Sequence, residues 1–213
     1  MVDLGGCRPG RVVVLEFSIA KNLGFGGSIA VIIGILISFI PALSSLGSIL
    51  MLLGIILVLV ALRGLSEVYG DESIFWNALG ATIAIILAWI LFFVFLATTV
   101  LSPLGVMASA IALILVVAAV ATSALLWYRA LGALSSRSGV RMFRWAAISY
   151  AISSVIFVFG LLLTIVLIGI FILLIAGVVD LLSFILLALG FLSLKTPVTP
   201  ALQGMKLKPV ELP

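Results

Sequence analysis

Residues 73–128 read SIFWNALGATIAIILAWILFFVFLATTVLSPLGVMASAIALILVVAAVATSALLWY, 56 positions without one Lys, Arg, Asp or Glu. A helix needs about 20 apolar residues to cross about 30 Å of hydrocarbon, so this run is long enough for two crossings. Pro103 marks the turn between them, because proline removes a backbone donor that lipid cannot replace. Two further runs flank it. Asn22 to Leu62 is charge-free over 41 residues and is broken at Pro41, and Trp145 to Leu194 spans 50 residues with Asp180 as its one charge. The last run has no proline, so length alone places its turn near Ile168, Gly169 and Ile170. The expected fold is all-α: an integral membrane protein of six transmembrane helices arranged as three helical hairpins. The spans fall at about 22–40, 46–62, 74–101, 104–128, 146–168 and 171–194 within a membrane domain of 22–194. Residues 1–21 read as a cytoplasmic extension and 195–213 as a Pro-rich cytoplasmic tail.

Composition agrees with that reading. The 213 residues are 65% hydrophobic and 8% charged, with a mean hydropathy of +1.54, whereas soluble domains carry about 25% charged residues. Continuous runs rich in Leu, Ile and Ala are unlike the alternating segments of a membrane β-barrel. Without His, and with a single Cys, the chain lacks the usual ligands of haem, iron-sulfur, zinc or copper centres, so no cofactor and no metal site is expected. No nucleophile with a base and no carboxylate pair can be assembled, so no catalytic residue is expected either. A sequence pI near 9.6 suggests nucleic acid at first sight, but the basic residues lie at span ends, where they answer to lipid headgroups.

Orientation follows from the same charges. Six crossings put the N-terminus, the loop from Arg63 to Glu72, the loop from Arg129 to Arg144 and the C-terminus on one side. That side then holds all eleven Lys and Arg, and the opposite turns hold none. Cations are retained on the cytoplasmic side during insertion, so both termini are expected inside the cell membrane. An odd number of spans would break this sorting.

The pattern Ala-Leu-x-x-Leu-Ser recurs at Ala61 to Ser66, Ala130 to Ser135 and Ala188 to Ser193, each at the inner end of an even-numbered span. The first two copies stay in step beyond it, Gly70 with Gly139, Trp76 with Trp145 and Ala78 with Ala147, which points to a repeated hairpin. Gly70 and Gly139 read as left-handed caps ending spans two and four, and Asp71 as the N-cap of span three.

The stretch ALRGLSEVYGDESIFWNA from Ala61 to Ala78, with SRSGVRMFR from Ser136 to Arg144, resembles a largely archaeal family of multi-pass membrane proteins, domain of unknown function 996. In that family the first inner loop similarly reads Leu-x-x-Tyr-Gly-Asp-x-x-Ile-Phe, present here as Tyr69, Gly70, Asp71, Ile74 and Phe75. The likeness runs from about Phe17 to Lys195 and carries no activity with it. Ala20 to Gly24 resembles the family's opening, which makes Met1 to Val13 an extension.

Three groups of residues are candidates for function. Asp180 is the one ionisable group deep in a span, and such residues are expensive in lipid. It is either a proton or cation site in a carrier, or a protonated or hydrogen-bonded acid bridging to a neighbour such as Ser153, Ser154 or Thr164, or, if the turn falls near Ala176 and Gly177, a surface cap of span six. Its distance from Lys195 places it in the outer half of the bilayer. The second group is the inner loops, of opposite sign: Glu67, Asp71 and Glu72 on the first face Arg129, Arg137, Arg141 and Arg144 on the second. They are expected to contact lipid headgroups and to pair partly with each other. The third is a small-residue stripe, Gly27 and Gly34 with Gly47, Gly54 and Ala61, expected to pack the first hairpin. Trp76, Trp127, Tyr128 and Trp145 read as an aromatic belt.

The expected partners are membrane lipids and a further membrane protein or a second copy of the chain, with no nucleic acid. A non-catalytic structural or accessory role is the first functional reading. The second is a small carrier or channel acting as an oligomer, with Asp180 in the path. What separates them is whether Asp180 faces a cavity among helices or stands alone beside lipid.

Overall fold

The computed structural model describes residues 9–101, 106–163 and 168–195. Among them are six long helices and no strand: α1 (Pro9–Ser38), α2 (Ser44–Tyr69), α3 (Ser73–Leu101), α4 (Val106–Ser138), α5 (Arg141–Leu163) and α6 (Ile168–Leu192). Each contains a stretch long and apolar enough to cross a membrane. Large apolar side chains stand exposed on these helices, such as Leu46, Ile114, Phe171 and Val178, each more than 60% accessible. Water would penalise such a surface and hydrocarbon does not.

A short 3-10 turn at Pro41–Leu43 joins α1 to α2, at the expected proline. Pro103 lies outside the described residues, between the end of α3 and the start of α4. The last turn differs from expectation. Ile168, Gly169 and Ile170 belong to α6, and the connection falls before them, because no proline fixed the count. Asp180 is accordingly the thirteenth of the 25 residues of α6, at the middle of the helix and not a cap at its end. The first helix also differs. Its helical stretch starts at Pro9, and Phe17 and Ala20 are buried in the core, so residues before Asn22 belong to the bundle. Lys21, which ended the charge-free run, donates from Nζ to the Leu194 carbonyl at 2.8 Å, joining the first helix to the chain beyond the end of the last.

Helices pack most closely as sequential hairpins, α1 with α2, α3 with α4 and α5 with α6, and the hairpins join side by side until α1 returns to α6. The result is a closed ring. In the first hairpin glycines let the backbones meet: a Cβ on Gly27 would lie 2.8 Å from the Gly54 carbonyl oxygen, and one on Gly34 2.8 Å from that of Gly47. In the third, hydroxyls bridge the pair: Ser149 donates to the Val179 carbonyl at 3.2 Å, Ser153 to Ala176 at 2.9 Å and Ser183 to Ala146 at 2.9 Å. Such bonds hold helices where the hydrophobic effect between them is absent.

The α2–α3 and α4–α5 connections, at the basic end, are short and stopped by glycine. Gly70 (φ 63°) ends α2 and Gly139 (φ 70°) follows α4, both in the left-handed region where a Cβ is disfavoured. At this end of the bundle a dense core forms around Phe17, Leu62, Leu65, Ile74, Leu134, Phe143 and Phe191, all under 3% accessible. The third Ala-Leu-x-x-Leu-Ser copy is used differently from the first two. Ala188 is buried, but Leu189 and Leu192 face outward, and Leu187 and Phe191 take the interior places.

Candidate functional site

The ring is tight at its basic end and hollow in its middle. A chamber of about 580 Å³ lies among the helices, and each of the six described helices contributes to its wall. The wall is mostly aliphatic, with the aromatic rings of Trp89, Phe92, Trp127, Tyr150, Phe157 and Phe184. Trp127 and Tyr150 stand 6.2 Å apart and Trp89 and Phe157 6.5 Å apart, centroid to centroid. This volume and lining are typical of a small-molecule site.

Asp180 is on this wall, supplied by the middle of α6. Its level is fixed by the hydroxyl bridges of the third hairpin: Ser149 bonds to the neighbouring Val179, and Ser153 to Ala176 one turn away. The Asp180 Oδ1 is fully buried and has no hydrogen-bond partner. The other hydroxyls of the wall are engaged within the protein. Thr82 donates to the Ala78 carbonyl at 3.0 Å, Ser153 to Ala176, and Ser154 to the Tyr150 carbonyl at 2.9 Å. The Tyr150 hydroxyl lies 3.2 Å from Ser123 Oγ, which itself donates to the Ala81 carbonyl at 2.9 Å. Ser153 and Ser154 therefore do not serve Asp180, and Thr164 is outside the described residues.

The loop residues form a separate group at the basic end. Asp71 accepts from Ser73 at the start of α3, through its backbone N–H at 3.2 Å and its hydroxyl at 2.6 Å. Its other oxygen accepts from Arg137 Nε at 3.2 Å, which ties the α2–α3 loop to the end of α4. The Ser73 hydroxyl, and then Arg137, hold the Asp71 carboxyl below the usual carboxylate range. Glu67 pairs with Arg63 one turn before it, at 3.4 Å. Among the described residues Arg129, Arg141, Arg144 and Glu72 make no ion pair, and no group of acidic or thiol side chains is placed to hold a metal. Gly27, Gly34, Gly47 and Gly54 line the α1–α2 contact, and Ala61 is buried further along α2.

Sequence reasoning placed Trp127 in the belt with Trp76, Tyr128 and Trp145. Those three are exposed, whereas Trp127 is 8% accessible and on the chamber wall. Its immediate neighbour Tyr128 faces out, and only knowledge of the helix's rotation separates the two.

In comparison with known proteins, the family described as Protein of unknown function (DUF996) matches residues 50–178, more than half of the chain. This is narrower than the likeness read from the sequence, and it stops two residues before Asp180. No curated protein and no solved structure matches the chain.

Proposed function

Since the chain belongs to the family described as Protein of unknown function (DUF996), and that description supplies no activity, we propose its function from the geometry. It is a non-catalytic, multi-pass protein of the cell membrane that holds a small lipophilic molecule in the chamber of its helical ring, as a binding protein or small carrier. The basic end faces the cytoplasm, as the sorting of Lys and Arg requires. One observation carries this reading: Asp180, at the middle of α6, lines the chamber with a carboxyl that no hydrogen bond satisfies among the described residues. An ionisable group at the bilayer centre is costly, and a purely structural ring would be cheaper with Leu or Ser there. The matched glycine caps at Gly70 and Gly139, and the buried Ala61 and Leu65 matching Ala130 and Leu134, support a repeated origin for the first two hairpins.

Gly177 offers the test. It lies on the chamber wall, and a Cβ built there meets nothing within 4 Å, so a larger side chain enters the chamber without displacing a neighbour. Native mass spectrometry of the protein purified in mild detergent is expected to show a retained small lipophilic molecule. Gly177→Phe, with unchanged helical content, is expected to lose it. Equal retention by both forms, or none by either, contradicts the proposal.

A further inference from the structure

The chamber is enclosed unevenly. Of the neighbouring helix pairs in the ring, α2 and α3 pack least. The wall residues that are also open to the outside come from these two helices: Leu52 and Ile56 on α2, and Ile83, Ile86 and Trp89 on α3, each between 47% and 58% accessible. On the opposite side, α5 and α6 are fastened by three hydroxyl bridges. At the basic end the dense core around Leu65, Leu134 and Phe143 separates the chamber from the loops. A slit between α2 and α3 therefore faces hydrocarbon, and what enters there comes from the bilayer.

The chamber's chemistry then narrows the occupant. Thr82, Ser153, Ser154 and Tyr150 already have partners, no Lys or Arg lies on the wall, and among the described residues the Asp180 carboxyl has no hydrogen-bond partner. An occupant that brings an N–H donor satisfies that carboxyl, and a positive charge on the donor favours its ionised form. A bare metal ion does not fit, because magnesium or calcium asks for six or more oxygen ligands and the wall offers one carboxylate. The faces of Trp127 and Tyr150 on the same wall favour an organic cation. Building on the chamber reading above, the geometry points to a lipophilic amine, protonated at nitrogen, that enters from the bilayer between α2 and α3 and donates an N–H to Asp180.

Two probes of one shape test this on the full chain in lipid nanodiscs: 3,3-diphenylpropyl(methyl)amine and its neutral isostere 3,3-diphenylpropyl methyl ether. The amine is expected to bind more tightly than the ether, and Asp180→Asn to weaken the amine by about tenfold to a hundredfold while leaving the ether unchanged, as for loss of a charge-assisted hydrogen bond. Retained ether binding also shows that the variant is folded. Widening the side chains at the slit with Ile56→Trp and Ile83→Trp is expected to slow amine association with little effect on affinity at equilibrium. Equal binding of both probes, unaffected by Asp180→Asn, overturns the amine assignment and leaves the chamber reading standing. Failure of both probes to bind overturns both. Association unchanged by the paired tryptophans overturns entry between α2 and α3.

Discussion

Asp71 does two things at once at the basic end: it caps α3 through Ser73 and reaches Arg137 across the loops. Asn at this position still caps, so Asp71→Asn removes mainly the charge. The expected cost is within about 1 kcal/mol, the range of an exposed ion pair, whereas Asp71→Ala also loses the cap and costs about 1 kcal/mol more. Folding lowers the Asp71 pKa, so the ionised form is the one that folding favours. Its stabilisation is fully present above the ordinary carboxylate value of about 4 and is lost as the pH falls through the lowered value. Thermal unfolding in detergent is expected to separate wild type from Asp71→Asn at neutral pH and to bring them together at acid pH. A gap that persists there contradicts the pairing. The capping role was legible from Gly-Asp between two apolar runs. The choice of Arg137 over Arg141 was not, because Arg137 lies in the last turn of α4 and Arg141 begins α5, a difference of direction that spacing in the sequence does not reveal.

At the scale of helices, the α1–α2 hairpin depends on close approach. A Cβ at Gly54 would lie 2.6 Å from the Gly27 carbonyl oxygen, while one at Gly26 meets nothing within 4 Å. Gly54→Val is expected to destabilise by about 1–3 kcal/mol through overpacking, and Gly26→Ala to be neutral or to stabilise by up to about 1 kcal/mol through helix propensity. Unfolding midpoints of the two variants decide the matter, and equal midpoints would show that the backbones do not meet there. The glycine stripe could be read because small residues seven apart return to one helix face. The hydroxyl bridges between α5 and α6 could not, since Ser149, Ser153 and Ser183 look the same whether they bond within their own helix or across. The third Ala-Leu-x-x-Leu-Ser copy shows the reverse failure, a shared pattern whose leucines face opposite ways in the structure.

For the whole molecule, helix number followed from charge-free length alone, because lipid demands a fixed span. The chamber had no such signature. Each helix lends it a few residues, and its existence depends on how far six helices stand from a common axis. Trp127 and Trp145 separate a hollow ring from a packed one. Both are apolar-phase residues, but Trp127 is 8% accessible and on the chamber wall, whereas Trp145 is 59% accessible on the outside. The decisive measurement is fluorescence quenching of variants that keep only one of these tryptophans, in nanodiscs, by a brominated phospholipid and by the small bromoalkane 1-bromobutane. A chamber open to small apolar molecules predicts that the bromoalkane quenches both residues while the bromolipid quenches Trp145 far more than Trp127. A Trp127 that neither reagent reaches would mean that the ring is closed on itself, and that Asp180 has no chamber to serve.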